Sequence, residues 1–374
     1  MLSLSSTISL FILIHGLITI PEGYIACLSG EDIDTFRVTI IDLKNKSEEV
    51  ISEGSHHGAP TWSPDGKKIA FSLKLNSGGL QIGIYNLERK SLEVLSHSYS
   101  WNDEPAWSPD GKYLAYTSCE KGLIDQKLMV YNLERKTEEE WGGERLPSIM
   151  KPMWFPRLDV LNAMSATVTQ VTYAEGFDIE KFFEEGYSLG VLVGVAVIKT
   201  DFPKLSTELV LVSKTQATPL PRELMSDSLR FEEYNPQVSP KGSSMAFESN
   251  EGGDREIYYL GRRGISNITN HTSADWNPVW APNGEWLAFE SFRNGRRGIY
   301  RVYPETARVF PLVVSSEFDA WSPTWSPDSK WICFVSNKGG KPELFLKKIE
   351  DNNEIIQITE GKKHLAPQWR PKQK

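Results

Sequence analysis

One phrase recurs along this chain of 374 residues and constrains its fold more than any other feature. It reads PTWSPDGKKIAF at residues 60–71, PAWSPDGKYLAY at 105–116 and PVWAPNGEWLAF at 278–289. Its proline marks seven positions, which are Pro60, Pro105, Pro152, Pro236, Pro278, Pro323 and Pro367. These positions lie 45, 47, 84, 42, 45 and 44 residues apart. Such a period predicts a repeat architecture in which each unit is one supersecondary block packed on its neighbours.

Each unit contains four short runs of β-branched and aromatic residues separated by Gly, Pro, Asn and Asp, which is typical of strands joined by tight turns. We label these strands A to D. Strand A carries the Trp of the phrase, SPDG forms a turn, and strand B reads KKIAFS or EWLAFES. Strand C, such as LQIGIYNLE, follows a glycine-containing hairpin, and strand D runs back to the next proline. Four-stranded units at this period predict an all-β protein, a β-propeller.

The two ends of the chain predict how the ring closes. The N-terminal runs YIACLS, RVTIIDL and EEVIS form a B, C and D set without an A strand, whereas the chain ends in APQWRP, an A strand with nothing after it. We therefore expect the N-terminal strands to pair with the C-terminal strand. The loop-closure cost of joining distant residues rises only slowly with length.

Counting the A strands predicts seven blades, with eight or six as the alternatives. The interval of 84 residues holds one clear set of strands B to D, from about residue 190 onward. The remainder, about 157–187, is interpreted as an insertion between strands A and B of the third blade. The predicted organisation is an apolar leader over residues 1–23 and a single propeller domain over 24–374.

The leader contains an apolar run from Leu10 to Ile20, LFILIHGLITI. This run is shorter than the roughly 20 residues that span a bilayer, so we expect no transmembrane segment. It suits the apolar region of a secretory signal, although no Lys or Arg precedes it. The sequence therefore predicts a periplasmic or secreted protein. The alternatives are a protein anchored to lipid through Cys27 and a cytoplasmic protein.

Charge and cysteine content exclude some classes of partner and site. The net charge is −8, whereas nucleic-acid binding rests on clustered Lys and Arg, so no nucleic-acid partner is expected. The three cysteines are an odd number without CxxC spacing, which indicates neither a disulfide framework nor a zinc site.

Most of the tryptophans repeat with the fold. Eight of the twelve fall on predicted A strands or at the starts of B strands, namely Trp62, Trp107, Trp154, Trp280, Trp286, Trp325, Trp331 and Trp369. Because aromatic side chains bury large areas, we expect these eight to pack in the core or between blades rather than to bind a ligand.

The phrases PTWSPDGKKIAFS, PAWSPDGKYLAYTS, PVWAPNGEWLAFES and PTWSPDSKWICFVS resemble the WD40-like propeller repeat (PD40) of the TolB family. The resemblance covers nearly the whole chain after residue 23. It implies a propeller fold, and in TolB itself a soluble periplasmic protein that binds a peptidoglycan-associated lipoprotein. TolB carries an α/β domain before a six-bladed propeller, whereas the repeats here begin within the first 30 residues. The same repeat occurs in propellers that gate serine peptidases and in some polysaccharide lyases, so it specifies fold more than function.

Catalytic motifs are missing from the sequence. There is no G-x-S-x-G nucleophile elbow, no H-E-x-x-H or paired-cysteine metal site, no phosphate loop and no dinucleotide fingerprint. No cofactor is predicted. A calcium ion held by several acids stays open, since calcium accepts oxygen ligands from flexible sites, but the sequence specifies no ligand set.

The loops that join strand D of one blade to strand A of the next should converge around the central channel, where rigid repeat scaffolds usually bind. Their acids, aromatic residues and histidines are the candidate binding residues: His57, His97, Asp103, Glu233, Tyr234, His271, Asp275, Trp276, Asp319 and Trp321. At any single position a structural role in a tight loop is the favoured interpretation. Together these side chains could still form a rim that takes a protein loop, a peptide, a glycan or a small ligand.

The sequence therefore predicts a non-enzymatic binding or scaffold propeller with a protein partner at the cell envelope. The first alternative is a metal-dependent carbohydrate-active lyase or hydrolase that uses His57, His97 and His271 at the channel. A third hypothesis is a sensory or regulatory propeller.

Overall fold

The computed structural model describes residues 20–32, 34–52, 56–75, 78–95, 99–120, 126–142, 148–154, 192–199, 205–212, 214, 217–219, 232–261, 263–350 and 354–372. Residues 1–19 of the predicted leader (1–23) and the predicted insertion at about 157–187 lie outside these residues.

The described residues form 28 strands, and from β4 to β27 each successive set of four strands pairs antiparallel as the predicted blade. The strands of blades 1 to 3 are β4 (His56–Trp62), β5 (Lys68–Lys74), β6 (Leu80–Asn86), β7 (Ser91–Val94), β8 (Trp101–Trp107), β9 (Tyr113–Cys119), β10 (Lys127–Asn132), β11 (Thr137–Trp141), β12 (Ile149–Trp154), β13 (Leu192–Lys199), β14 (Leu205–Val212) and β15 (Ala217–Pro219). A single parallel bridge between Leu80 and Trp101 joins blades 1 and 2.

Blades 4 to 6 continue the same order. Their strands are β16 (Glu233–Val238), β17 (Met245–Ser249), β18 (Glu256–Gly261), β19 (Gly264–Asn267), β20 (Asp275–Trp280), β21 (Leu287–Ser291), β22 (Gly298–Tyr303), β23 (Arg308–Val313), β24 (Ala320–Trp325), β25 (Trp331–Ser336), β26 (Glu343–Lys348) and β27 (Ile355–Gln357). One 3₁₀ turn, Pro304–Thr306, links β22 to β23.

The remaining strands form a sheet from both ends of the chain, which we call the terminal blade. It has the order β28-β1-β2-β3, with β1 at Tyr24–Gly30, β2 at Arg37–Asp42, β3 at Ser47–Val50 and β28 at Lys363–Trp369. The antiparallel register places Ile25 opposite Trp369 and Gly30 opposite Lys363. Seven four-stranded sets are thus present in the described part of the chain. The blade number of a complete ring and its closure stay predictions.

Strands B and C are buried on both sides where a blade lies between two neighbouring sheets. All five residues of β17, β21 and the first five of β18 are buried, including the polar ones. Apolar clusters therefore lie between adjacent sheets: one contains Ala246 and Ile257 of blade 4 together with Leu287 and Phe289 of blade 5. Cys27 of β1 belongs to such a cluster and is buried, and its burial raises the pKa of the thiol.

The SPDG phrase forms the predicted turn between strands A and B. In blade 1, Ser63 Oγ donates to Asp65 Oδ1 at 2.6 Å, and the backbone N–H of Lys67 donates to the same oxygen at 3.0 Å. Gly66 has φ +68°, a left-handed conformation in which a side chain would be strained. The repeated letters therefore encode a hydrogen-bonded turn.

In five blades the Trp that ends strand A fastens the blade to the one before it. Its indole Nε1–H donates to a strand A carbonyl of the preceding sheet, from Trp62 to Gln368, Trp107 to Thr61, Trp154 to Ala106, Trp280 to Gln237 and Trp325 to Val279, at 2.9 to 3.1 Å. The prediction that these residues pack between blades is confirmed. Trp286 differs, because it is only half-buried.

A bulge interrupts strand A directly before its proline. The register shifts there in blades 1 to 6, for example between Trp276 and Val279. The residue before the proline has a positive φ in most blades, at Glu104, Lys151, Asn235, Asn277, Ser322 and Ala366. Bulges of this kind re-aim side chains beside functional sites. The first half of strand A thus carries a repeated set of re-aimed side chains.

Candidate binding face

The starts of the A strands and the hairpins between strands B and C lie at the same end of the blades. In blade 4, Glu233 at the start of strand A pairs with Ser249 at the end of strand B, and in blade 5 Asp275 pairs with Ser291 in the same way. We call this end the loop face. It combines the connections predicted to converge on the channel with the hairpins that follow strand B.

Two buried glutamates of strand B join neighbouring blades on the loop face. Glu248 Oε1 accepts the backbone N–H of Asn277 at 2.7 Å and the side-chain amide of Asn235, while Arg255 Nη1 donates to its Oε2 at 3.2 Å. Each carboxylate oxygen thus has a partner, so the burial of this charge is compensated. Glu248 links strand A of blade 4 to strand A of blade 5.

Glu290 repeats this arrangement one blade further on. Its Oε1 accepts Asn277 Nδ2 at 2.6 Å and the backbone N–H of Ser322 at 2.9 Å, and Arg297 Nε donates to its Oε2 at 2.5 Å. The arginine stands seven residues after the glutamate in both blades. The spacing follows from the hairpin, which places the start of strand C beside the end of strand B.

The chain of polar contacts extends toward blade 2. Lys151 Nζ donates to Asn235 Oδ1, and the backbone N–H of Lys151 donates to Glu104 Oε2 at 2.7 Å. Burial raises the pKa of Glu104. We call this series the polar ladder; its members are Glu104, Lys151, Asn235, Glu248, Asn277, Glu290 and Ser322. It connects the inner strands of blades 2 to 6.

Aromatic rings and arginines lie beside the polar ladder. The guanidinium carbon of Arg297 is 5.5 Å from the ring centroids of both Trp276 and Trp321, so the cation lies near two rings of adjacent blades. Trp276 also packs against Phe292, with centroids 5.3 Å apart, and the side chain of Phe292 is 48% exposed. We call Phe292, Trp276, Arg297 and Trp321 the aromatic–arginine row. It presents apolar area and cationic N–H groups together, a combination that is frequent in binding hot spots.

Blade 4 contributes a smaller copy of the row. The guanidinium carbon of Arg255 is 4.6 Å from the centroid of the Tyr234 ring. Burial is the main cause of the raised pKa of this tyrosine. The predicted candidates Tyr234, Trp276 and Trp321 thus occupy equivalent positions, two residues before the marker proline.

Asp275 lies in a buried ionic cluster and not on an open rim. Arg293 Nη2 is 2.5 Å from Asp275 Oδ2, whereas Oδ1 is buried without a hydrogen-bond donor among the described residues. The carboxyl group of the buried Glu256, from blade 4, is within hydrogen-bonding reach of Asp275. Burial and then the charge of Asp275 raise the pKa of Glu256 to about 7, against hydrogen bonds from Thr269 and His271 that lower it. A proton on Glu256 provides a hydrogen-bond donor next to the Asp275 carboxylate.

The raised pKa of Glu256 predicts a pH dependence of stability. In the unfolded chain a Glu titrates near about 4.3, so between that pH and about 7 the folded state binds more protons than the unfolded state. The free energy of unfolding should therefore fall as pH rises through this window and level off above it. In Glu256→Gln, which keeps a donor at all pH values, this fall should be smaller by on the order of 2 kcal/mol. Urea unfolding of both forms between pH 5 and pH 8 measures the difference, and parallel profiles would contradict the assignment.

The other predicted candidates take structural contacts. The buried Glu233 accepts the backbone N–H of Leu209 in blade 3 at 2.7 Å through its Oε2. Asp103 Oδ1 accepts Ser72 Oγ at 2.5 Å, and Asp319 Oδ2 accepts Asn337 Nδ2 at 3.1 Å. His271 accepts the N–H of Ser273 on Nδ1 at 3.0 Å, which places the proton of a neutral ring on Nε2.

Two of the predicted histidines cannot be placed at the site. His57 lies in β4, but its side chain is outside the described residues, as is the whole of His97. Among the described residues no group of three or more His, Cys, Asp or Glu side chains is arranged to hold a metal ion. In the same part of the chain no helix is both long enough and apolar enough to cross a membrane.

Sequence reasoning missed Glu248, Glu290, Arg255 and Arg297. The sequence does indicate the two glutamates, because the strand B motifs MAFES and LAFES place a glutamate directly after the apolar residues of the strand. A repeated acid at a buried position indicates an inter-blade contact, since buried charges are paired.

Comparison with known proteins agrees with the fold. Residues 24–139 match the family model of the TolB β-propeller domain. Comparison with curated proteins gives no match. TolB from Acinetobacter baumannii is 17% identical over 94% of this chain and 83% of that chain, with a TM-score of 0.50.

Two further solved structures come from other functional classes. The β-propeller domain of the Trilobed protease from Pyrococcus furiosus, described as having an open velcro topology, is 14% identical over 91% of this chain and 96% of that chain, with a TM-score of 0.62. An oligogalacturonate lyase in complex with manganese is 14% identical over 84% of this chain and 83% of that chain, with a TM-score of 0.57. At these identities the likeness is one of fold alone.

The fold thus defines a β-propeller of four-stranded antiparallel blades. Residues 24–139 carry the repeat of the TolB β-propeller domain, and the fold of the chain is similar to that of TolB.

Proposed function

We propose that this chain is a non-enzymatic binding propeller that holds a protein partner on its loop face. The observation that carries the proposal is the aromatic–arginine row, in which Phe292 is 48% exposed beside Trp276 and Arg297. Exposed aromatic area next to a guanidinium is the composition of interface hot spots, where Trp, Tyr and Arg dominate the binding free energy.

The buried carboxylates of Glu248 and Glu290 support a binding function and not a catalytic one. Glu248 and Glu290 are buried, and both oxygens of each accept hydrogen bonds from Asn, Arg or backbone N–H groups. A general acid or base must instead reach a proton on a substrate. These carboxylates act as structural links that hold the strands carrying the row, so the face is rigid before a partner arrives. Preorganisation of this kind reduces the entropy lost on binding.

We place this function at the cell envelope. The apolar run from Leu10 to Ile20 and the TolB-like propeller support that location. Fractionation of the native host tests it: the protein should appear in the periplasmic or secreted fraction. Recovery in the cytoplasm alone would contradict the proposed location, but it would not test the proposal that the loop face binds a partner.

The decisive experiment compares Phe292→Ser with Val50→Ser. Val50 is 52% exposed on the outer strand β3 and serves as a matched control, since surface substitutions of this kind change stability by only about 0.5 kcal/mol. The tagged full chain and both variants are used to capture proteins from an extract of the native host, and retention is quantified by mass spectrometry.

We expect a partner retained by the native chain and by Val50→Ser and reduced about tenfold or more by Phe292→Ser, the loss typical of one hot-spot side chain. Equal retention of the partner by the native chain and both variants would contradict the assignment of binding to the loop face. If the native chain retains no protein, the macromolecular partner is excluded, and small ligands become the better hypothesis.

A further inference from the structure

A second surface lies on the flank of blade 5, away from the loop face. Arg301 of β22 pairs in register with Ala288 of β21 and Phe310 of β23. Its guanidinium carbon is 4.5 Å from the ring centroid of Trp286 and 5.9 Å from that of Phe310. The Trp286 ring meets Phe310 and Tyr303 edge to face, with centroids 5.8 and 5.5 Å apart. The Arg301 guanidinium therefore lies beside two aromatic rings, and Tyr303 extends this aromatic cluster.

The guanidinium of Arg301 has no acceptor in the described part of the chain. Its Nε is buried without a hydrogen-bond partner, and burial lowers the pKa of the group. The charge of Glu350 in blade 6 acts on the guanidinium, and the two side chains do not form an ion pair. The three other arginines between β21 and β22 behave differently, since Arg293, Arg296 and Arg297 each pair with a carboxylate. Among the described residues no acid neutralises this half-buried cation, so its charge is free to attract an anionic group of another molecule.

The rings around Arg301 are unusually open. Phe310 is 41% exposed and Tyr303 36% exposed, and Trp286 is half-buried although the other phrase tryptophans are buried. On the blade 6 side, Ile349 and Ile355 pack against the same apolar cluster as Trp286. The edge strand β23 contains Pro311, which has no N–H for a further strand, so addition of a strand there is disfavoured. Recognition on this flank must therefore use side chains.

We propose that this flank, formed by Trp286, Arg301, Tyr303 and Phe310, docks a partner protein through a segment in which an Asp or Glu stands beside an apolar side chain. The carboxylate would accept hydrogen bonds from the Nη groups at the end of the Arg301 guanidinium, because Nε is buried. The neighbouring apolar side chain would cover Phe310 and Tyr303. A sugar acid is the weaker candidate, because its hydroxyl groups need polar partners. The nearby Lys347 Nζ already donates to the carbonyl oxygen of Leu312 at 2.8 Å.

The test begins with selection of a random peptide library displayed on phage against the immobilised full chain, with counter-selection on Arg301→Met. Met keeps most of the side-chain length and removes the charge. Enriched peptides should carry Asp or Glu next to an apolar residue, and synthetic fluorescein-labelled copies are then titrated by fluorescence polarisation. Selection that yields no peptide, or peptides without an acid, would overturn the proposal.

Four variants define the site in the titration. Arg301→Met and Phe310→Ser should each raise Kd about tenfold or more, and the exposed Arg89→Met in blade 1 should leave it unchanged. Glu350→Gln should lower Kd about twofold, because it removes a competing negative charge. Equal binding by native chain and Arg301→Met would overturn the assignment.

Thermal unfolding separates a docking role from a structural one. If Arg301 serves a partner, Arg301→Met should keep or raise Tm while binding is lost, because an apolar side chain suits the site better than an unpaired cation. A clear fall in Tm, with peptide affinity unchanged, would assign the arginine to the fold. Binding of an oligogalacturonate probe that depends on Arg301, without any peptide binding, would replace the protein partner by an anionic glycan.

Discussion

Removal of residues 363–374 is expected to abolish cooperative folding. These residues include the whole of β28, the innermost strand of the terminal blade, and its removal would expose the edge of β1. The deletion also removes the buried Trp369, the Gln368 carbonyl that accepts Trp62 Nε1 at 2.9 Å, and Arg370, whose Nε donates to the Gly66 carbonyl at 2.7 Å. We expect a loss of at least about 5 kcal/mol, which is comparable with the whole stability of a typical domain.

Urea unfolding followed by tryptophan fluorescence measures this loss, with removal of residues 373–374 alone as the control. A truncated chain that unfolds cooperatively at the native midpoint would contradict the prediction. It would mean that the contact between the chain ends is dispensable, as in a ring that is held by its other blades. The experiment therefore also tests the closure that the sequence predicts.

Glu290→Ala is expected to lower the free energy of unfolding by about 3 kcal/mol, because removing one partner of a buried ion pair leaves the other uncompensated. Three groups lose their acceptor: Arg297 Nε, Asn277 Nδ2 and the backbone N–H of Ser322. Glu290→Gln keeps one carbonyl oxygen for the neutral donors and should lose less. The exposed Glu285→Ala in the same blade is the control, with an expected change within about 0.5 kcal/mol.

The measurement is again urea unfolding at neutral pH, with the three variants compared at equal ionic strength. A change below about 1 kcal/mol for Glu290→Ala would show that water replaces the carboxylate at little cost, and the polar ladder would then not be a stabilising link between blades.

Much of the fold could be predicted from the sequence, because every copy of the repeat predicts the same local structure. The runs VLVGVAVIK and TELVLVSK predict strands inside the interval of 84 residues, and β13 and β14 occupy them. The phrase SPDG predicts a turn whose Ser and Asp side chains bond as expected. Local sequence determines these strands and turns, so several copies of the same motif adopt the same structure.

The candidate site was predictable only in part. The fixed offset from the marker proline predicts Tyr234, Trp276 and Trp321, yet no sequence pattern indicates that arginines cover their rings. The same offset predicts Glu233 and Asp275 as rim acids, but the alternation of a strand turns these residues inward, to Leu209 and to Arg293. One step along a strand separates a buried side chain from a half-exposed one.

The sequence by itself determined the class of fold, the strands, the turns and the tryptophans that join the blades, because period, turn residues and apolar pattern are local properties. Tertiary structure alone decided which charges meet. Glu248 contacts Asn277 across a blade boundary, while Arg301 lies beside aromatic rings and forms no ion pair with the described residues. Such pairings depend on the register and facing of neighbouring sheets, and no repeated phrase encodes them. The loop face and the flank of blade 5 therefore became visible only when the blades were placed side by side.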